Sequence, residues 1–307
     1  VSIPTRVKAI KNSTEIKNLR QVMIRDGVAL TKFFYWFENS LGSETLTELS
    51  VSAKLEAFRQ EQKDYAGPSF ATIAAYDKHA ALPHYVPDES TDATIGNTGI
   101  FLLDSGGQYL GGTTDITRTI ALGKPDKRMK SDFTLALKGT IDLAMARFPY
   151  GTRGYQIDVL ARKALWDNGL NYGHGTGHGV GSYLNVHEGP QTIGSAASGD
   201  LKTILEPGML ISDEPAVYRQ GEYGFRTENL FICIDDCETD HGRFLAFETV
   251  TLCYIDRELI EVSLLDDREL AWLNDYHETV FRALGESVGP DIRKWLRNKT
   301  MPVRRSK

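Results

Sequence analysis

The sequence predicts an α+β fold: one large domain over residues 1–262 with an internal pseudo-twofold duplication, and a helical extension over 263–307 packed on it. Three observations support this. A long helical pattern, a shorter one and a set of β-rich runs follow one another in that order twice. Beyond Leu264 the pattern turns helical again, and no low-complexity linker divides the chain. Of its 307 residues 41% are hydrophobic and 25% charged, a balance that excludes disorder as the main state.

In the first unit Ile16, Leu19, Met23, Leu30, Phe34 and Phe37 recur at spacings of three, four and seven behind capping residues at 12–14. After Gly42 a shorter helix is expected near 50–62. The runs FATIAAY, GIFLLDSG and TTDITRTIAL, punctuated by Gly and Pro, read as strands. The second unit repeats the order. A long helix is expected over about 126–148 (Met129, Phe133, Leu137, Ile141, Ala144, Phe148) and a shorter one over about 156–168, with Gly169 where a C-cap belongs. Strand runs MLISDEP, AVYRQ, YGFRTENLFICI and RFLAFETVTLCYI follow. In the extension Asp266 and Glu269 are spaced as a capping box ahead of a stripe of Leu270, Leu273, Tyr276, Val280, Phe281 and Leu284.

Charge and composition narrow the function. With 35 Lys+Arg against 41 Asp+Glu the net charge is −6, which argues against nucleic acid as the main partner. No apolar run approaches the roughly 18–20 residues of a membrane span, and VSIPTRVKAIKNSTE lacks the apolar core of a signal peptide, so a cytoplasmic protein without membrane contact is expected. Cys233, Cys237 and Cys253 form no CxxC pair and read as reduced, mostly buried thiols.

The residues that promise chemistry are acids in hairpin-like positions. A hairpin centred on Tyr109 and Leu110 would set Asp104 opposite Asp115, and one centred on Gly221 would set Glu214 opposite Glu228. A bulge in either turn would move the facing pair. Like charges opposed across strands destabilise a sheet, so two such pairs call for a proton or a cation, and a cation explains both at once. Taken alone, DSG and DEP are most often turns and strand ends. Between the pairs lies HGTGHGVGSYLNVHEGP, where His174, His178 and His187 stand among five glycines, a composition suited to a backbone that passes close to something. Imidazole is the commonest neutral metal ligand. His79, His241 and His277 stand outside such a setting and read as ordinary hydrogen-bonded histidines.

With these segments in hand, the chain resembles the pita-bread metallopeptidases, and within them the cytosolic Xaa-Pro aminopeptidases of the aminopeptidase P type. The ordered set LLDSGGQYLGGTTDITRT, HGTGHGVGSYLNVHEGP, SDEP and FRTEN carries the resemblance, which runs over nearly the whole chain. It implies a pita-bread fold and five metal ligands, Asp104, Asp115, His178, Glu214 and Glu228, none of them substituted. Asp115 and Glu228 would bridge two divalent ions, Asp104 completing one and His178 with Glu214 the other. Manganese is the first candidate for so oxygen-rich a set, with zinc or cobalt as others.

The resemblance further implies that a metal-bridging hydroxide attacks the first peptide bond of peptides with proline at the second position. Glu214 would carry the proton to the leaving nitrogen, while His84 (in LPHY) and His187 stabilise the oxyanion and position the substrate, alongside His174. His84, His187 and Tyr218 would wall the pocket for the proline ring. Arg226 would either meet substrate or neutralise and orient the carboxylates. A homodimer is implied as well, with Trp272, Tyr276 and Phe281 as contributors, although these residues serve equally well to pack within the chain. Relatives of this type carry two further domains ahead of the catalytic one, so the chain reads as the catalytic part alone. The alternatives are a prolidase, restricted to Xaa-Pro dipeptides, and an inactive pita-bread module that binds proteins; the inactive relatives have lost metal ligands.

Overall fold

A short helix, α1 (Ile3–Ala9), precedes the long α2 (Ser13–Ser40) and α3 (Glu48–Gln60). Asn12 starts α2 by accepting the N–H groups of Thr14 and Glu15, while the Glu15 carboxylate accepts the Asn12 N–H, so donors that no helix satisfies internally are paired. Leu19, Met23, Leu30, Phe34 and Phe37 form its buried stripe and Ile16 is half-buried. The computed structural model describes residues 2–195 and 203–305, so Val1, residues 196–202 and the last two residues of the expected extension lie outside it.

Six strands follow: β1 (Tyr65–Pro68), β2 (Ile73–Tyr76), β3 (Gly99–Ser105), β4 (Gly107–Tyr109), β5 (Gly112–Thr113) and β6 (Ile116–Leu122). β2, β3 and β6 form an antiparallel sheet, and β4 turns away to pair with β1 and β5. The second unit opens with α4 (Lys127–Ala144), β7 (Arg147–Pro149) and α5 (Gly154–Trp166), then β8 (Gly177–His178), β9 (Thr192–Ile193), β10 (Leu210–Asp213), β11 (Ala216–Arg219), β12 (Tyr223–Arg226), β13 (Asn229–Thr239) and β14 (Gly242–Thr249). Its main sheet runs in the order β10-β13-β14-β7. Long helix, short helix and sheet therefore recur, as the sequence pattern implies.

One expected helical residue is a strand residue. The spacing predicts Phe148 in the long second helix, yet α4 stops at Ala144 and Phe148 lies in β7, buried against Phe247 with ring centroids 5.1 Å apart. The cause is local: Pro149 disfavours helical backbone at the residue before it. Gly169 does close α5, at φ +69° with its N–H on the Trp166 carbonyl.

The extension contains α6 (Asp267–Leu284) and α7 (Pro290–Lys299). Asp266 and Glu269 form the expected capping box. Leu273, Val280 and Leu284 share one core with Val28, Ile100, Phe133 and Ile141, so residues from both units and the extension are buried together. The extension's aromatics are engaged within the chain. Trp272 stacks flat on Tyr276 at 5.2 Å, and the Tyr276 hydroxyl accepts from Arg118 at 2.7 Å and donates to the Cys253 carbonyl at 2.9 Å. Arg297 covers the Phe281 ring at 4.7 Å. His277 is fully buried, its Nε2 accepting the Ile255 N–H, the ordinary hydrogen-bonded role expected of it. Cys233 and Cys253 are buried and Cys237 exposed. Among the described residues no helix is long and apolar enough to cross a membrane.

Candidate active site

The acids gather because strand ends from the two sheets meet. Glu214 sits between β10 and β11, and Glu228 between β12 and β13. The pairs Ala216↔Arg226 and Asp213↔Asn229 share one register, which sets Glu214 against Glu228 as the turn at Gly221 predicts. Gly221 has φ +77°, a conformation that glycine adopts without strain.

The other pair is a correction. In the ladder Asp104 faces Thr117, not Asp115, because the turn falls on Leu110 and Gly111, one residue later than the expected centre. Moving a turn by one residue moves the facing partner by two. Asp115 therefore lies just outside the ladder, diagonal to Asp104 and on the same face.

His178 is brought to the acids by a close backbone approach. A Cβ at Gly177 would lie 1.8 Å from the Ser212 carbonyl oxygen, so only glycine lets β8 reach β10. The His178 N–H donates to Ser212 Oγ at 2.9 Å, and its Nδ1–H to the Gly179 carbonyl at 3.0 Å. That second bond fixes the tautomer and turns Nε2 toward the acids, 3.4 Å from Asp115 and 3.6 Å from Glu214. Ligand atoms of Asp115, His178 and Glu228 all lie within 4.8 Å of one another.

The electrostatics of this cluster are those of charges short of counter-charge. Burial and the neighbouring carboxylates push Glu228 well above the usual carboxylate range. Burial raises Glu214 to about 7 even though His178 and Arg226 face it. Burial would lower His178, but the Asp115 and Glu214 carboxylates outweigh it and lift the ring to about 9. Burial also raises Asp104 against the pull of Arg226, and its Oδ1 is buried with no hydrogen-bond partner. An unpaired buried carboxylate oxygen beside an imidazole Nε2 and three more acids fits hard divalent cations as the missing partners.

Arg226 belongs to the cluster rather than to open space. Its side chain is 3% exposed and donates to Asp104 Oδ2 at 2.5 Å, Thr117 Oγ1 at 3.0 Å and the Tyr218 hydroxyl at 2.6 Å. Of the two roles open to it in the sequence, geometry supports the neutralising one. Thr117 relays the arrangement by donating to Glu228 Oε2 at 2.7 Å. Ser212 does the same on the other side, accepting from the His178 backbone and reaching Glu214 Oε1 at 3.3 Å. Sequence reasoning missed both. Thr117 was findable as the alternate residue after Asp115 in a strand, whereas Ser212 becomes meaningful only once β8 lies beside β10.

The remaining histidines stand around the same space. His174 Nδ1–H donates to the Gly175 carbonyl, and its Nε2 accepts from Tyr218 at 2.9 Å. Burial lowers it to about 4, so the ring is neutral at pH 7. His187 meets His178 edge-on at 4.3 Å. His84 is exposed on the segment that follows a 3-10 turn at Asp77–Ala81. All ten residues named from the sequence, these three histidines with Tyr218, Arg226 and the five proposed ligands, line one cavity of about 360 Å³. Phe70, Ile73 and Pro83 add an apolar wall that the sequence did not announce.

An acid- and histidine-lined cleft between the sheets of a duplicated α+β domain has the donor set of a metal-dependent hydrolase. The chain belongs to Metallopeptidase family M24, whose pattern matches residues 17–235, and the C-terminal region of the same peptidases matches residues 243–303. The probable Xaa-Pro aminopeptidase P of Aspergillus flavus is 45% identical over 304 residues, covering 96% of this chain and 46% of that protein. That of Penicillium rubens is 46% identical over 304 residues, covering 96% and 49%. Among solved structures, the X-prolyl aminopeptidase of Caenorhabditis elegans, described as a cytosolic enzyme with a di-nuclear active site, superposes with TM-score 0.94 at 40% identity over 99% of this chain and 50% of that one. The prolidase of Pyrococcus furiosus gives 0.66 at 26% identity over 81% and 67%. The chain spans about half the length of the curated relatives it matches.

Proposed function

We propose that this chain is the catalytic part of an Xaa-Pro aminopeptidase, a cytosolic enzyme that removes the N-terminal residue from peptides with proline at the second position. Asp104, Asp115, His178, Glu214 and Glu228 would hold two divalent ions, manganese by the oxygen-rich chemistry of the set. When bound, such ions supply Lewis acidity and a water whose pKa falls toward roughly 7. Glu214 would take up the proton that the attacking water releases and pass it from a carboxylate oxygen to the departing proline nitrogen. His84 and His187 hold the substrate carbonyl from the cavity wall and, with Tyr218, wall the proline pocket, while His174 helps position the substrate. Proline fixes φ near −65° and offers no N–H, so a wall shaped to its ring selects it by shape. The homodimer stays part of this proposal on the resemblance alone, since the extension's aromatics are engaged within the chain.

One observation favours an aminopeptidase over a dipeptidase. A prolidase must bind the proline carboxylate, a task suited to an arginine. Among the described residues that line the cavity, Arg226 is the single lysine or arginine, and its guanidinium is already committed to Asp104, Thr117 and Tyr218. Arg-Pro-Pro should therefore be cleaved far better than Arg-Pro in the presence of manganese, and Arg-Ala-Pro worse than Arg-Pro-Pro by roughly 100-fold in kcat/KM, about 2.7 kcal/mol of lost transition-state binding. Efficient cleavage of Arg-Pro with no activity on the tripeptide would favour the prolidase instead.

A further inference from the structure

Glu48 is the first residue of α3 and fully buried, and the role proposed for the cavity does not use it. Its carboxylate accepts from the Tyr76 N–H at 2.7 Å, the Ala93 N–H at 3.1 Å, the Tyr85 hydroxyl at 2.6 Å and His79 Nδ1–H at 2.9 and 3.1 Å. All four donor residues belong to one segment, 76–93, the segment that carries His84. The His79 and Tyr85 rings lie 4.5 Å apart, and short backbone bonds run from Leu82 N–H to His79 and from Tyr85 N–H to Leu82, so residue 84 is spanned by groups fixed to Glu48 on both sides. Ala80 in the same turn is seated so tightly on β12 that a Cβ at Gly224 would lie 1.8 Å from its carbonyl oxygen. His84 itself is exposed and in neither helix nor strand, so its place in the cavity wall follows from where this segment is tied.

A buried carboxylate is costly unless every lone pair is met, and here the donors all come from the segment that must be aimed. We infer that Glu48 is a positioning residue for His84, holding the 76–93 segment so that the imidazole faces the reacting carbonyl. This rests on the role proposed above for His84. Misplacement of about 1 Å at such a group costs up to roughly 100-fold.

In the full chain, Glu48→Gln replaces one acceptor oxygen by a donor that faces donors, so it loosens the segment without emptying the space. It should lower kcat/KM on Arg-Pro-Pro about tenfold or more when His84 is present and less than about twofold when His84 is already alanine, the non-additivity of residues that act as one unit. Metal content should be unchanged, and trypsin should cut faster after Lys78, which is exposed on the turn. Tyr85→Phe, which removes one hydroxyl and keeps the ring against His79, should show the same pattern with a smaller loss and covers the case in which Glu48→Gln fails to fold. Equal losses with and without His84, or faster cleavage at Lys78 with full activity, would overturn the inference. A His84→Ala variant as active as the parent would remove the role proposed for His84 and the inference with it, a result visible in that single variant.

Discussion

Asp115→Asn should abolish peptidase activity by about three orders of magnitude or more, which corresponds to about 4 kcal/mol of transition-state stabilisation. Among the described residues it belongs to the one trio whose ligand atoms fall within 4.8 Å of each other, and the amide keeps its size while removing its charge. Stability without metal should change far less, because neutralising Asp115 removes both its repulsion of Asp104, Glu214 and Glu228 and its attraction for the His178 ring. In the parent, manganese at 100 times its dissociation constant should add about 2.7 kcal/mol per site, a gain the variant should largely lose. The pair of readings, thermal unfolding with and without manganese, separates loss of a ligand from simple misfolding. A variant that binds both ions and turns over normally would contradict the assignment.

Arg226→Gln should cost about 3–5 kcal/mol of stability in metal-depleted protein, the range for removing one partner of a buried charge pair. Its guanidinium is 3% exposed and donates to Asp104, to Tyr218 and to the hydroxyl of Thr117 that in turn holds Glu228. Without it, His178 is the one cation among the described residues that pairs with the acids. Manganese should restore part of the loss, because added cations answer the same repulsion. Arg226→Lys should recover less than a simple charge count suggests, since an ammonium lacks the planar fork that serves three acceptors at once. Unfolding measured by denaturant, with the metal depleted and then restored, tests this. A loss under about 1 kcal/mol would show that the cluster does not depend on Arg226, since that is the size of an exposed pair.

What was legible in the sequence follows physical lines. The α2 stripe, its cap at Asn12 and the Asp266–Glu269 capping box are local, and they appear where the spacing puts them. The Glu214 and Glu228 pairing is also local, because one register runs through both strand pairs about Gly221. The Asp104 pairing failed at the turn, which falls on Leu110 and Gly111 rather than one residue earlier, although at Gly106 the chain also leaves one sheet for another, β3 pairing with β6 and β4 with β1 and β5. A Cβ at Gly106 would lie 2.0 Å from the Thr114 carbonyl oxygen, so glycine lets the chain pass from one sheet to the other there without changing that register. Thr117 and Ser212 were invisible for a different reason. Hydroxyl residues are common in strands, and theirs gain meaning only from partners more than thirty positions away, Glu228 for Thr117 and His178 for Ser212. Glu48 is the extreme case, an acid at the start of an ordinary helix whose partners span residues 76–93.

The central claim is that the cavity holds two divalent ions and that hydrolysis of the Xaa-Pro bond requires them. The direct test is to strip the protein of metal, titrate manganese back in a calorimeter, and follow Arg-Pro-Pro hydrolysis in the same samples. Binding should saturate at two ions per chain, with turnover absent before addition and rising as the second ion binds. Full turnover in metal-depleted protein, or saturation without any turnover on peptides with proline at the second position, would contradict it.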